Sequence, residues 1–401
     1  MAFNTSISGL QAAQKEMGVI SNNIANVGTV GFKRSDALFS ELYTAALGSP
    51  FPESGQGVTL DAIRRDFSQG NFEFTSSQMD LAIDGKGLFI LEKGGLTSFS
   101  RAGAFRLDGD GNVVTDSGHF LQGYQADTNG VVGSVIGNLQ ITDALLAQRP
   151  TEVMSFGGNL DSRADAPSVE PFEPGRPETY NFSSTTTIFD AAGESHLVTL
   201  YFVKSPTDLN QYTCRAMIDN DLVPETGSLQ FNSSGSLESS SEFTIASFAP
   251  VGGASQPLTI NFSDISNFGA NPFTKQFSQD GFPAGALSGF EFDRDGIAYA
   301  SYTNGQVRAV GQVALAEFAN PGGLDSLDKT KFAQSDASGV AKIGPANSGS
   351  SGFIRSSALE SANVDLTVEL LALIETQRNF QSNAQAIQNE NDASQTILQL
   401  R

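Results

Sequence analysis

Residues 359–401 read LESANVDLTVELLALIETQRNFQSNAQAIQNENDASQTILQLR, without a single Gly or Pro. Stepping alternately by four and three from Leu366 gives Leu370, Leu373, Gln377, Phe380, Ala384, Ile387, Asn391, Ser394 and Leu398. Seven of these ten positions are apolar, which makes a heptad-like stripe on one face of a helix. A helix of roughly 35 residues would be about 50 Å long, well beyond the globular average. The polar members Gln377, Asn391 and Ser394 weaken a seam but fix its register.

The other end carries the same stepping on a smaller scale, through Phe3, Ile7, Leu10, Gln14, Met17, Ser21 and Ile24. Gly9 and Gly18 weaken this helix without ending it. Alone it would be marginal in water, so its stripe needs a partner, and the C-terminal stripe is the obvious one. Two helices against each other bury one face each. Further apolar residues, such as Val19, Ile20, Leu371 and Ile374, are expected on the back faces, where they would meet neighbouring subunits.

Everything between the ends reads as β structure. Residues 27–70 are expected to be an extended connector. It opens on the turn-like Asn26-Val27-Gly28-Thr29-Val30-Gly31 and continues through an apolar patch, Phe39 to Leu47, and Gly48-Ser49-Pro50-Phe51-Pro52. Short strands follow: Asp80 to Asp84, Leu88 to Leu91, and a hairpin of Phe105-Arg106-Leu107 and Val113-Val114 around Asp108-Gly109-Asp110-Gly111-Asn112. Residues 146–284 read as a separate β-rich unit with Ser, Gly and Asn loops, including strands Thr185 to Phe189, His196 to Val203 and Gln211 to Ile218. At about 285 the earlier style returns. Phe290-Glu291-Phe292-Asp293-Arg294-Asp295-Gly296 echoes Phe105 to Gly111, and Asn304-Gly305 suggests a type I′ turn. The expected fold is mainly β with long α-helical termini. An outer β domain, 146–284, is inserted in an inner one, 71–145 plus 285–358, on a coiled-coil-like stem of 1–26 and 359–401.

Composition excludes several functions. Formal charge is −21, from 44 acids against 23 bases, which repels phosphate backbones and anionic headgroups. No nucleic-acid partner is expected. The basic pairs Lys33-Arg34 and Arg64-Arg65 read as exposed solubilising charge. There is no run of about 18 apolar residues, so no membrane insertion is expected, and the N-terminus lacks the pattern of a cleaved signal peptide. The lone Cys214 lies in an alternating strand-like stretch and reads as a strand residue. His119 and His196 stand in different expected domains, too few for a zinc site. The Asp108–Asn112 run lacks the later ligands of a calcium loop. No nucleophile elbow or phosphate loop is found, so neither an enzyme nor a cofactor is expected.

Two terminal motifs then gain weight together. Ser8-Gly9-Leu10-Gln11-Ala12-Ala13 and Ser21-Asn22-Asn23-Ile24-Ala25-Asn26, running on to Gly31-Phe32-Lys33, resemble the start of the bacterial flagellar axial proteins: rod, hook and hook-filament junction proteins. Leu359-Glu360-Ser361-Ala362-Asn363-Val364-Asp365-Leu366 and Gln377-Arg378-Asn379-Phe380 resemble their end, and Phe67-Ser68-Gln69-Gly70 and Asp84-Gly85-Lys86-Gly87 are similar to internal landmarks. The large insert favours hook over rod proteins. The resemblance implies a homopolymeric tube whose inner wall is the terminal helices, around an export channel. It implies export without a cleaved signal, a place in the hook and basal body outside the cell, and a flexible coupling that passes torque to the filament. Implied partners are rod and junction proteins, hook cap and hook-length control proteins, and the export apparatus. Implied assembly residues are Ile7, Leu10, Met17, Asn22, Asn23, Ile24 and Asn26 with Leu366, Leu370, Leu373, Gln377, Phe380, Ala384, Ile387 and Leu398. The rival readings are a distal rod subunit and a secreted β-rich binding module with oligomerising helices.

Overall fold

A computed structural model describes residues 2–41, 57–142, 145–239, 241–248, 255–328 and 330–399. The Gly48–Pro52 run and most of the 39–47 apolar patch lie outside these residues. The described chain is mainly β, with one long helix at each end, and it divides into two units. One comprises Met1–Asp143, Gly289–Ser301 and Val307–Arg401; the other comprises Ala144–Ser288 and Tyr302–Gln306. The second unit therefore interrupts the first in sequence.

In the first unit, α1 (Ala2–Ala25) packs along α2 (Leu366–Gln399). Asn23 meets Glu369, and Gly9 lies against Asn383, so the helices run antiparallel. Helix α2 starts later than its Gly- and Pro-free stretch would allow. Ala358–Glu360 is instead a strand paired with Phe72–Phe74. The start is set by Asp365, whose Oδ1 accepts the amides of Thr367 (2.8 Å) and Val368 (3.2 Å), groups that have no partner inside a helix. Within 27–70, Ser35–Glu41 pairs antiparallel with Val58–Arg65, running from Ser35 opposite Arg65 to Glu41 opposite Val58.

The body of the first unit is a sheet of twelve strands among the described residues. Strand Val307–Glu317, which follows the insert, pairs with Phe120–Ala126 and Leu88–Lys93, which precede it. Leu88, Ile90, Phe99, Ala314, Ala316 and Phe332 form a common core drawn from both flanks. The two echoing turns share one construction. Asp108 Oδ1 accepts the Asn112 amide and Asp293 Oδ1 the Ile297 amide, each at 2.8 Å, with a glycine of positive φ between. The Asn304-Gly305 turn differs from expectation. Positive φ occurs at Gly305 and not at Asn304, so it is not type I′. Asn304 is occupied otherwise, donating to Pro283 O (2.8 Å) and accepting from the Gln306 amide (3.0 Å).

The second unit holds two four-stranded sheets. One has the order Glu242–Phe248, Gln256–Phe268, Val153–Asp161, Phe273–Gln279; the other is the antiparallel run Phe182–Phe189, Ser195–Lys204, Gln211–Ile218, Asp221–Gln230. Residues 211–218 alternate between half-buried and buried, so Tyr212, Cys214, Ala216 and Ile218 point inward. They share one core with Phe156, Phe202 and Phe262 from both sheets. Burial pushes the Cys214 thiol well above its ordinary pKa, which makes it inert. Tyr212 donates to Asp161 O at 2.8 Å, and burial raises its hydroxyl to about 12.

The Arg163 guanidinium and backbone amide hold the Asp161 carboxyl at about 2, below its ordinary 3.8. A depressed carboxylate stabilises the fold above its unfolded pKa and loses that contribution as pH falls through the folded one. Thermal midpoints of the second unit should therefore fall from pH 4 towards 2, and Asp161→Asn should flatten that limb. An unaltered acid profile in the variant would assign the effect to other groups.

Candidate assembly seam and its buried anchor

The stem seam is a heptad, offset from the sequence expectation on its alternate positions. In α1, Ile7, Leu10, Met17 and Ile24 are half-buried, while Ala13 and Ile20 are buried where Gln14 and Ser21 stand exposed. Ile20 thus belongs to an inner face, not to the back one. In α2, Leu373, Phe380, Ala384 and Ile387 are half-buried; Leu366, Leu370 and Gln377 are exposed; Glu369 and Thr376 are buried. The side chain of Leu398 lies outside the described residues. The offset follows from Asn23, which must face inward. Its Oδ1 accepts the Ser35 amide (3.0 Å), and its Nδ2 donates to Ser35 O (2.9 Å) and to Glu369 (3.2 Å). One amide side chain therefore acts as a strand neighbour for Ser35 and a tie to α2. Asn26 is buried too and closes the helix end on Asn22 O (2.8 Å), whereas Asn22 is exposed.

Below the stem lies a feature that reading by periodicity missed. Glu360 is fully buried between Lys33 and Arg101, themselves buried. Its Oε1 takes Lys33 Nζ (2.7 Å) and the Gly70 amide (2.9 Å), and its Oε2 takes Arg101 Nε. Lys33 also donates to Ser68 O (2.6 Å), and Arg101 to the carbonyls of Ile83 (2.6 Å) and Gly85 (2.7 Å). Burial draws the Lys33 pKa down, and Glu360 opposes that shift. Lys33 is thus no solubilising charge, because its neighbours require it inside. Glycine is required around it. Gly31 has φ +67° and gives its amide to Glu360 O (2.7 Å), and a Cβ there would sit 2.3 Å from the Ala102 nitrogen. Asn363 adds a second tie, accepting the Arg34 amide (2.7 Å) and donating to Asp66 O (2.8 Å). The available sequence signal was the set of short motifs themselves: 31–33, 67–70, 84–87 and 359–363 all meet at this point.

Among the described residues no group of three or more His, Cys, Asp or Glu could hold a metal. Asp108 spends its carboxylate on backbone amides of its own turn.

The anchor residues fall in segments that match flagellar families. Residues 3–33 match the flagella basal body rod protein family, 82–149 the flagellar hook protein FlgE/F/G D1 domain, 159–282 the flagellar basal body protein FlaE D2 domain, and 355–400 the flagellar basal body rod FlgEFG protein C-terminal family. The flagellar hook protein FlgE of Escherichia coli is 34% identical over 410 aligned residues, covering 100% of both chains. The chain belongs to the flagellar hook protein family. Members from Salmonella typhimurium, at 35% identity with 100% of both chains covered, and Borreliella burgdorferi, at 30% with 98% of each, extend the likeness. The crystal structure of Helicobacter pylori flagellar hook protein FlgE2 has a TM-score of 0.57 at 15% identity, covering 72% of this chain and 100% of that one, which supports the fold. Membership gives the chain the general axial structural role of that family.

Removing the Glu360 charge strands two buried cations. Breaking a buried pair on one side costs about 3–5 kcal/mol. Glu360→Gln should lower the stability of the first unit by that order in denaturant titrations. A loss below about 1 kcal/mol would show that the anchor carries little of the fold.

Proposed function

We propose that the chain polymerises into the flagellar hook, with the α1–α2 stem as the inner wall of a tube around an export channel. One observation carries this reading. Helix α2 has one face against α1, yet Leu366, Val368, Leu370, Leu371 and Ile374 remain exposed along its first turns. A contiguous apolar row on a stable helix calls for another surface, and identical copies of the stem supply it. The seam residues set at sequence level then divide by role. Ile7, Leu10, Met17, Leu373, Phe380 and Ile387 hold the two helices of one copy together, while Leu366 and Leu370 meet the next copy.

In this reading residues 1–26 and 359–401 form the tube, and 27–70 join it to an inner β domain of 71–145 and 285–358. Residues 146–284 form the outer domain. The subunit leaves the cell through the flagellum's own export apparatus. The finished polymer is curved, carries torque from the rod to the filament, and meets rod, junction, cap and length-control proteins. Subunits slide over one another with little internal change, as hinge and shear motions require.

Burying a Leu or Ile is worth about 1.5–3 kcal/mol, and each 1.4 kcal/mol is about tenfold in affinity. Leu371→Glu with Ile374→Glu should raise the critical concentration for polymerisation at least about 100-fold while leaving the monomer's helicity intact. Sedimentation against protein concentration reads this. Polymer forming at the wild-type concentration would refute the proposed role of this face.

A further inference from the structure

A cavity of about 440 Å³ opens in the first unit beside the buried anchor. Its walls are largely apolar, from Phe67, Leu88, Phe318 and Pro321. Its charged lining is mostly cationic: Lys33, Lys86 and Arg101 against Glu317. Behind the wall Glu360 and Asp66 offset Lys33 and Arg101, which leaves Lys86 as the cation presented at the rim. That is a positive spot on a chain of net charge −21.

Lys33 and Arg101 are spent on Glu360, but Lys86 is not. It is exposed at the rim, and among the described residues nothing pairs with its ammonium. The loop that carries it is nonetheless held in place. Arg101 grips the carbonyls of Gly85 and Gly87, and the Gly352 amide donates to Lys86 O at 2.7 Å. A preorganised loop presenting one free cation over an apolar wall loses little entropy on binding.

We infer that this pocket receives a second copy of the chain, which inserts an apolar side chain flanked by a carboxylate. Charge complementarity selects that occupant, since the chain's own acidic surface offers such groups. Leu209 and Asp208, both exposed, adjoin outside any strand and give one such pair. A pocket on one copy filled by a different surface of the next is a heterologous contact, and such contacts build open helical polymers. The inference rests on the polymeric reading above and adds a contact on the β body, away from the apolar row of α2.

The test uses the full chain. Lys86→Glu reverses the rim charge, and Ala319→Trp fills the mouth; both positions are exposed, so the monomer should keep its circular dichroism and melting temperature. Each should raise the critical concentration at least about tenfold. Salt screens the repulsion between copies of net charge −21 in both proteins, so the contact reads as a difference: added salt should help polymerisation of Lys86→Glu more than that of the wild type. A benzophenone amino acid replacing Lys86 should crosslink copy to copy. Variants that polymerise at the wild-type concentration, or crosslinks that reach only the same chain or another protein, would overturn the pocket contact alone. A wild-type chain that never polymerises would overturn both this contact and the polymeric reading.

Discussion

A single carboxylate organises the first unit. Glu360 neutralises Lys33 and receives Arg101 in a site closed to water, and each of its partners brings a different stretch of chain with it. Lys33 brings the end of α1, the Gly70 amide brings the return from the Ser35–Arg65 hairpin, and Arg101 brings the loop at Ile83 to Gly87. Buried charges are costly unless paired and fully hydrogen-bonded. Here the cost is met only when all the strands arrive in the right places, so the arrangement favours one geometry over near alternatives.

The anchor also fixes how the stem leaves the β body. Both helices start or stop within a few residues of it: α1 ends at Ala25 before Lys33, and α2 begins at Leu366 after Glu360. Asn363 and Asn23 then tie the same crossing from either side, through Arg34, Asp66, Ser35 and Glu369. The stem–stem seam is weaker by comparison. It contains Asn, Thr and Glu, and many of its apolar members are only half-buried. Within one chain, then, the polar anchor is the tight joint and the α1–α2 seam the looser one.

Much of this was legible in the sequence, for physical reasons that differ by region. Periodicity of 3.5 exposed the helices, and period 2 exposed strands such as Gln211–Ile218, because both depend on local burial alone. The seam offset was not legible. Heptad stepping fits two neighbouring frames in α1, and the choice between Gln14 and Ala13 depends on Asn23 reaching Ser35, a contact no local pattern encodes. Lys33 was misread for the same reason. A Lys-Arg pair beside a helix end looks solvated until Glu360, 327 residues away, is brought to it. The Asn304-Gly305 turn shows the limit of dipeptide rules, since side-chain bonds to Pro283 and Gln306 keep Asn304 out of the left-handed region.

The long separations have a consequence for how the chain becomes folded. The second unit draws its buried core from one stretch, residues 154 to 265, and adds only Tyr302–Gln306 from beyond residue 288. The first unit cannot close its anchor until Glu360 meets Lys33 and Arg101, separated from it by 327 and 259 residues. Loop closure over such spans costs little more than over short ones. The larger cost would be burying Lys33 and Arg101 without their counter-charge. A chain lacking its last segment therefore has reason to leave that corner open, hydrated and unjoined to the stem. Completion of the C-terminal segment thus supplies at once the helix that partners α1 and the carboxylate that lets the β body close beneath it. One stretch, residues 359–401, completes both the α1–α2 stem and the anchor beneath it.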